Sequence, residues 1–199
     1  MSQENLRSHQ IIDTMLEMLE SRGLVQVTTA ALARCLGFTE AALYRYFPGK
    51  DAIVAAALRQ LTEQLLAAMI VELVPELAAR SGAAPQLERH VQRFAARRGI
   101  LLELLLAAVT SHSGELTDAA NAFLQEYTQR MGVYFQHLQE KALANESWPA
   151  SELRSAWVCQ LLGGFVGARL TQETWEPLVQ EGFVSFIRHA LAPAPRPGQ

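Results

Sequence analysis

The chain has 199 residues, a formal net charge of −3 and an apolar content of 50%. That length holds one large or two small domains and can bury a real core. The negative balance excludes bulk charge as the driving force for binding a polyanion.

Ala and Leu are abundant and the alternation of β-branched residues expected of strands is scarce, so the fold class is all-α. The longest apolar run, Ile100 to Val109, is interrupted by Glu103 and is too short to cross a bilayer, so no membrane partner is expected. The first ten residues, MSQENLRSHQ, lack a basic region followed by an apolar stretch, which predicts a cytoplasmic protein. Cys35 and Cys159 are isolated from one another and sit in apolar helical patterns, where they read as buried small hydrophobes.

In chain order, Ile11, Ile12, Met15, Leu16 and Leu19 mark one face of a helix over 6–22, which Gly23 ends. Thr28 or Thr29 caps a second helix carrying Leu32, Ala33 and Leu36; Gly37 and Phe38 supply a tight turn; Thr39 caps a third. Leu43 and Phe47 face inward, four residues apart, and Pro48 and Gly49 close that helix. A fourth helix starts near Lys50 with Ile53, Val54, Ala57, Leu58, Leu61 and Leu65 inward, running to about Val74 before Pro75.

Ser81 to Pro85 reads as a loop, and Leu87, Val91 and Phe94 place a helix at about 86–97. Gly99 separates it from a helix over Ile100–Val109, and Thr110 to Gly114 is a second loop. A long helix follows over 116–144, then a turn at Asn145 to Pro149, then helices at about 151–172 and 176–191. The last eight residues, APAPRPGQ, form a Pro-rich tail expected to be disordered. The expected organisation is a helix-turn-helix domain over 1–50, a helical ligand-binding and dimerisation domain over 51–191, and the tail over 192–199.

The segment Thr28–Lys50, TTAALARCLGFTEAALYRYFPGK, carries the chemistry. Helix N-termini at Thr28, Thr29 and Thr39 offer unpaired N–H groups to phosphate. Tyr44, Arg45, Tyr46 and Lys50 are left to point outward, as a helix entering a DNA major groove requires. Arg45 suits a bidentate contact to guanine, or is a solvated surface arginine. The competing reading of the whole segment is an ordinary αα-hairpin whose aromatics fill a small core. Residues 1–50 hold five Arg or Lys against five Asp or Glu, so affinity has to come from a dimer presenting two local patches.

The same residues resemble the tetracycline-repressor (TetR) family, through Thr28 and Thr29, Gly37, Leu43, Tyr44, Phe47 and Lys50 in register over roughly residues 7–58. The resemblance implies a three-helix reading head before a larger helical body, about nine helices in all. It carries DNA contact onto Thr29, Glu40, Ala41, Tyr44, Tyr46 and Lys50. Two departures stand out: Ala42 lacks a hydroxyl often found there, and Glu40 places an acid before a polyanion, where it accepts from cytosine N4 or tilts away.

What the resemblance implies is a homodimeric repressor bound to a pseudo-palindromic operator in double-stranded DNA, released by a small apolar ligand. The run Glu40-Ala41-Ala42-Leu43-Tyr44-Arg45 is also similar to the nucleoid occlusion factor branch of the family. That likeness implies the alternative of binding at dispersed chromosomal sites, nucleoid-associated, and restraint of the division protein FtsZ.

Gly163, Gly164, Gly167 and Ala168 lie on or near one helical face and allow another helix to approach, across a dimer or inside one subunit. In the body, Phe94, Leu105, Val109, Phe123, Tyr127, Tyr134, Trp157 and Phe165 are candidates to line an apolar ligand cavity, or are plain core; His112 and His137 are its candidate polar contacts. Arg89, Arg93, Arg97 and Arg98 form a basic stripe that suits an acidic partner or a solvated face. No phosphate-cradling glycine loop after a strand, nucleophile elbow or metal-ligand spacing is present, so neither an enzyme nor a cofactor is expected.

Overall fold

The structure, a computed structural model, describes residues 3–74, 76, 78, 82–96, 98–171 and 175–191. Among them it forms α1 (Gln3–Arg22), a 3-10 turn (Leu24–Gln26), α2 (Thr29–Leu36), α3 (Glu40–Leu43), α4 (Lys50–Glu72), α5 (Ala83–Ala96), α6 (Arg98–Thr110), α7 (Gly114–Glu140), α8 (Ala150–Thr171) and α9 (Trp175–Ala190). The chain divides into two compact units, Met1–Gln64 with Arg97–Phe123, and Leu65–Ala96 with Leu124–Gln199. The Pro-rich tail and Pro75 lie outside the described residues.

In the first unit, α1 buries Ile11, Met15 and Leu19, α4 buries Ile53, Val54, Leu58 and Leu61, and α6 buries Leu101 and Leu104. Gly23 closes α1 at φ 75°, a conformation that only glycine reaches without strain, and its N–H donates to Leu19 O at 3.0 Å. The Thr28 hydroxyl accepts from Ala31 N–H at 3.1 Å, and the Thr39 hydroxyl from Ala42 N–H at 3.2 Å, so each threonine satisfies one orphan donor of its helix. Between them, Gly37 at φ 69° ends α2 in a Schellman turn, with Phe38 N–H on Ala33 O and Gly37 N–H on Arg34 O. Leu32, Ala33 and Leu43 are buried beneath this turn.

Several boundaries differ from the sequence expectations for local reasons. The third helix ends at Leu43, and 44–46 continue only as a turn. Pro85 lies within the first turn of α5, where its missing N–H costs no helical bond, so 83–85 are helix and not loop. Gly99 sits inside α6 instead of separating two helices. α7 stops at Glu140, because Ala142 takes φ 55° and Leu143 N–H closes onto Leu138 O at 2.8 Å.

Both cysteines are exposed, contrary to expectation. Cys159 lies on the side of α8 opposite Leu153, Trp157 and Leu161, and Cys35 lies outside the Leu32–Ala33 stripe. Among the described residues, α4, rather than 100–109, is the helix long and apolar enough for a bilayer by length and composition, but half of its apolar window is buried in the protein.

The second unit is built around Trp157, whose ring contacts Phe183 at 5.1 Å, Phe186 at 5.8 Å and Phe135 at 6.1 Å between centroids. α8 and α9 pack so closely that a Cβ on Gly182 would collide with the Gln160 amide. A polar chain crosses this core. Trp157 Nε1–H donates to Tyr127 Oη at 2.8 Å, Tyr127 Oη lies 3.1 Å from His90 Nε2, and His90 Nδ1 lies 3.4 Å from Glu72 Oε2. Because the Glu72 carboxylate only accepts, neutral His90 carries its proton on Nδ1, so Nε2 accepts from the Tyr127 hydroxyl while the phenol oxygen accepts from the indole. Arg93 pairs with the other oxygen of Glu72. Tyr134 Oη donates to Gln86 Oε1 at 2.8 Å, and Gln86 Nε2 donates to Val74 O at 2.9 Å. Burial raises the pKa of Tyr127 and of Tyr134 above the ordinary phenol value.

Burial also pushes the fully enclosed His90 down from 6.5 to about 4, with Glu72 opposing the shift. The unfolded chain therefore binds the proton first as pH falls. The stability contributed by neutral His90 is complete above pH 6.5 and drains away as pH drops to about 4, a loss on the order of 3 kcal/mol. Melting temperature measured across that window should fall, and His90→Gln should flatten this part of the profile. At neutral pH, Thr28→Ala and Thr39→Ala should each lower stability in denaturant titrations by about 1 kcal/mol.

Candidate nucleic-acid interface

The expected contact residues lie on α2, α3, their N-caps, the turn after α3 and the start of α4. Thr28 and Thr39 are exposed, and since each hydroxyl serves its own helix as an acceptor, its proton remains available to a phosphate oxygen. Thr29 differs. Its Oγ1–H donates to Glu40 Oε1 at 2.7 Å, a bond that ties the start of α2 to the start of α3. While it stands, Thr29 has no hydroxyl proton for phosphate, and Glu40 is anchored within the motif instead of tilting away from it.

Ala41 and Arg45 are exposed, and Tyr44 is 48% exposed, the largest apolar ring surface on this segment. Tyr46 and Lys50 do not point freely outward. The Tyr46 ring stacks on Phe38 at 6.4 Å with planes 18° apart, and the Arg7 guanidinium lies 5.5 Å from the Phe38 centroid. This stack places an N-terminal cation beside the turn. The Lys50 ammonium donates to Leu24 O at 3.1 Å, leaving two of its three protons for other acceptors.

Sequence reasoning missed Glu103. Its Oε2 accepts from Leu24 N–H at 2.6 Å, so the residue whose carbonyl holds Lys50 is itself held by α6. The signal was a lone charge inside an apolar helical run, noted there only as an interruption.

The expected ligand-cavity residues are divided between the two units. Leu105, Val109 and Phe123 belong to the first unit, and Tyr127, Tyr134 and Trp157 to the second. Val109 is 82% exposed, while Phe123, Tyr127 and Trp157 are buried core. The side chains of Phe94 and Phe165 lie outside the described residues. Within the second unit an open groove of about 370 Å3 runs between Met69, Ile70 and Leu73 on one side and Arg130, Val133 and Tyr134 on the other, with His137 at its lining. His112 lines a separate hollow in the first unit beside Lys50 and Ser111.

Of the expected dimer residues, Gly163 is exposed with open space where a Cβ would point, and Gly164 is half-buried. Gly167 and Ala168 lie outside the residues whose surroundings are described. In the basic stripe, Arg89 is exposed and Arg93 is paired with Glu72, while the side chains of 97 and 98 are not described.

Residues 11–57 match the family described as bacterial regulatory proteins, tetR family. Over 61 residues the chain is 43% identical to the nucleoid occlusion factor SlmA of Haemophilus influenzae (strain PittGG), covering 30% of this chain and 28% of that protein. The likeness to this curated relative thus spans under a third of its length. As a fold, the chain is similar to a TetR transcription regulator from Haloarcula marismortui, with a TM-score of 0.76 and 17% identity, covering 94% of this chain and 100% of that one. It is similarly related to the transcriptional regulator FadR from Bacillus subtilis in complex with stearoyl-CoA, with a TM-score of 0.70 and 16% identity, covering 90% and 97%. Residues 11–57 thus carry the sequence pattern of the tetR family of bacterial regulatory proteins, the recognition segment resembles those of nucleoid occlusion factors, and the fold along the chain is similar to that of a TetR transcription regulator.

Proposed function

We propose that the chain is a homodimeric transcriptional repressor that acts in the cytoplasm on a pseudo-palindromic operator. Residues 1–50 serve as the reading head, 51–191 serve ligand binding and dimerisation, and no catalytic step is involved. The observation that carries this reading is the outward set Thr39, Ala41, Tyr44 and Arg45, grouped on the cap of α3, α3 itself and its following turn, with the Thr39 hydroxyl retaining its proton as a donor. In this reading Thr28 and Thr39 donate to phosphate, Tyr44 contacts phosphate or thymine methyls, and Arg45 reads a base edge. Tyr46 and Lys50 support the motif's shape, and Lys50 also offers its remaining protons to phosphate. Thr29 and Glu40 contribute through the bond between them.

The dimer surface is assigned to the outer face of α8, where Ser155, Cys159, Gly163 and Val166 are exposed, uncharged and opposite the helix's core face. The open apolar groove bordered by Tyr134 is the place for an apolar ligand carrying a polar group, with Arg130 and His137 at its lining. The fold relative that holds stearoyl-CoA supports a ligand of that character. Release of the operator then follows from a ligand that favours one conformation of the dimer.

Likeness to nucleoid occlusion factors over the recognition segment favours a second reading, in which the same head binds dispersed chromosomal sites and restrains FtsZ. Selection of bound fragments from genomic DNA separates the two. One or two sites near the gene support a local repressor, and many dispersed sites, with FtsZ co-sedimentation that depends on the bound DNA, support the alternative. Failure to enrich any sequence over random duplex at physiological salt overturns both. On a selected duplex, Arg45→Ala should weaken binding by about 1–3 kcal/mol and relax one base position. Gly163→Glu, placed where a Cβ meets nothing, should keep the fold, yield monomers in sedimentation and lose operator affinity.

A further inference from the structure

We propose that Glu103, on α6 and outside the matched segment 11–57, is a positioning residue for DNA reading that sets the corner between α1 and α2. This rests on the reading of residues 1–50 as a DNA-reading head.

Three observations meet at the corner. The Glu103 carboxylate accepts from Leu24 N–H at 2.6 Å, a short charge-assisted bond. The Lys50 ammonium donates to Leu24 O at 3.1 Å, so both backbone polar groups of one residue are held by charged side chains from two other helices. Gly23 takes φ 75°, and the Cβ it lacks would sit 3.3 Å from Glu103 Oε1. Glycine is therefore favoured by the backbone conformation, and a Cβ there would press on the carboxylate.

The chemistry of Glu103 fits a positional role. It is the one charged residue between Ile100 and Val109 and is half-buried, an environment in which a carboxylate is costly unless hydrogen-bonded. The turn it holds is only Leu24–Gln26, followed by buried Val27 and then the Thr28 cap. With so few residues between anchor and cap, the place of Leu24 fixes where α2 begins and where the Lys50 ammonium rests. Phosphate contacts depend on those two positions, and base readout depends on the orientation they impose. Loss of the bond therefore reduces discrimination between sequences, while charge-driven attraction to any duplex persists.

The test compares full-length wild type with Glu103→Ala, Glu103→Gln and Gly23→Ala. Affinity of the folded fraction is measured for a duplex selected from genomic DNA and for random duplex, together with exchange of the Leu24 amide without DNA. Expected are faster Leu24 exchange and about a tenfold loss of the selected-to-random affinity ratio in Glu103→Ala. Most of that loss should be recovered in Glu103→Gln, which keeps an acceptor, and reproduced in Gly23→Ala, which disturbs the corner from the other side. A Glu103→Ala protein that melts earlier yet keeps the wild-type ratio overturns the proposal and leaves a plain stabilising contact. If Glu103→Ala does not fold, an unchanged ratio in Gly23→Ala overturns it equally. Wild type without any preference for a selected duplex contradicts the reading of the head itself, which is a separate failure.

Discussion

A helix of one turn cannot hold itself together. α3 runs only from Glu40 to Leu43, far short of the ~12–15 residues at which an isolated helix becomes marginally stable in water. Its existence and its aim are imposed from outside. Thr39 caps its start, Leu43 is fully buried beneath it, Glu40 receives the Thr29 hydroxyl, and the Gly37 turn fixes the angle at which the chain arrives. Any function assigned to the exposed side of α3 depends on these four restraints.

Those restraints divide by how far apart in the chain their partners lie. The caps at Thr28 and Thr39, the left-handed Gly37 and the inward Leu43 are local in origin, and they were legible from residue type and spacing. The Thr29–Glu40 bond, the Phe38–Tyr46 stack and the Lys50–Leu24 bond join side chains to partners 8 to 26 positions away. Periodicity reports which face a residue occupies and says nothing of its partner, so Lys50 and Tyr46 read as outward groups although both are half-buried. Glu103 was visible only as an irregularity in an apolar run. Ala142 hid the end of α7 for a related reason, since a left-handed cap is signalled by glycine and here is filled by alanine.

The second unit shows the same limit in a core. Tyr127, Tyr134 and Trp157 were recognisable as inward aromatics, but whether such residues surround a ligand or each other is decided by packing. Tyr127 and Trp157 pack on one another through a hydrogen-bonded chain that reaches His90 and Glu72. A histidine with no exposed surface, kept neutral by burial and oriented from both ring nitrogens, behaves as a structural polar group. Among the expected cavity residues whose side chains are described, only Tyr134 borders the open groove. The helical fold was thus readable from one segment and a helical composition, whereas which inward aromatics border an open groove was not.

The claim on which the functional account stands is that α3 enters a major groove from each of two paired subunits. Methylation of guanine N7 tests it directly, because that atom is exposed in the major groove and not in the minor groove. On a duplex selected by the protein, the account predicts protection of N7 positions in two symmetric patches about one helical turn apart. Guanines that remain fully reactive while the protein is bound, or a single protected patch, would contradict it.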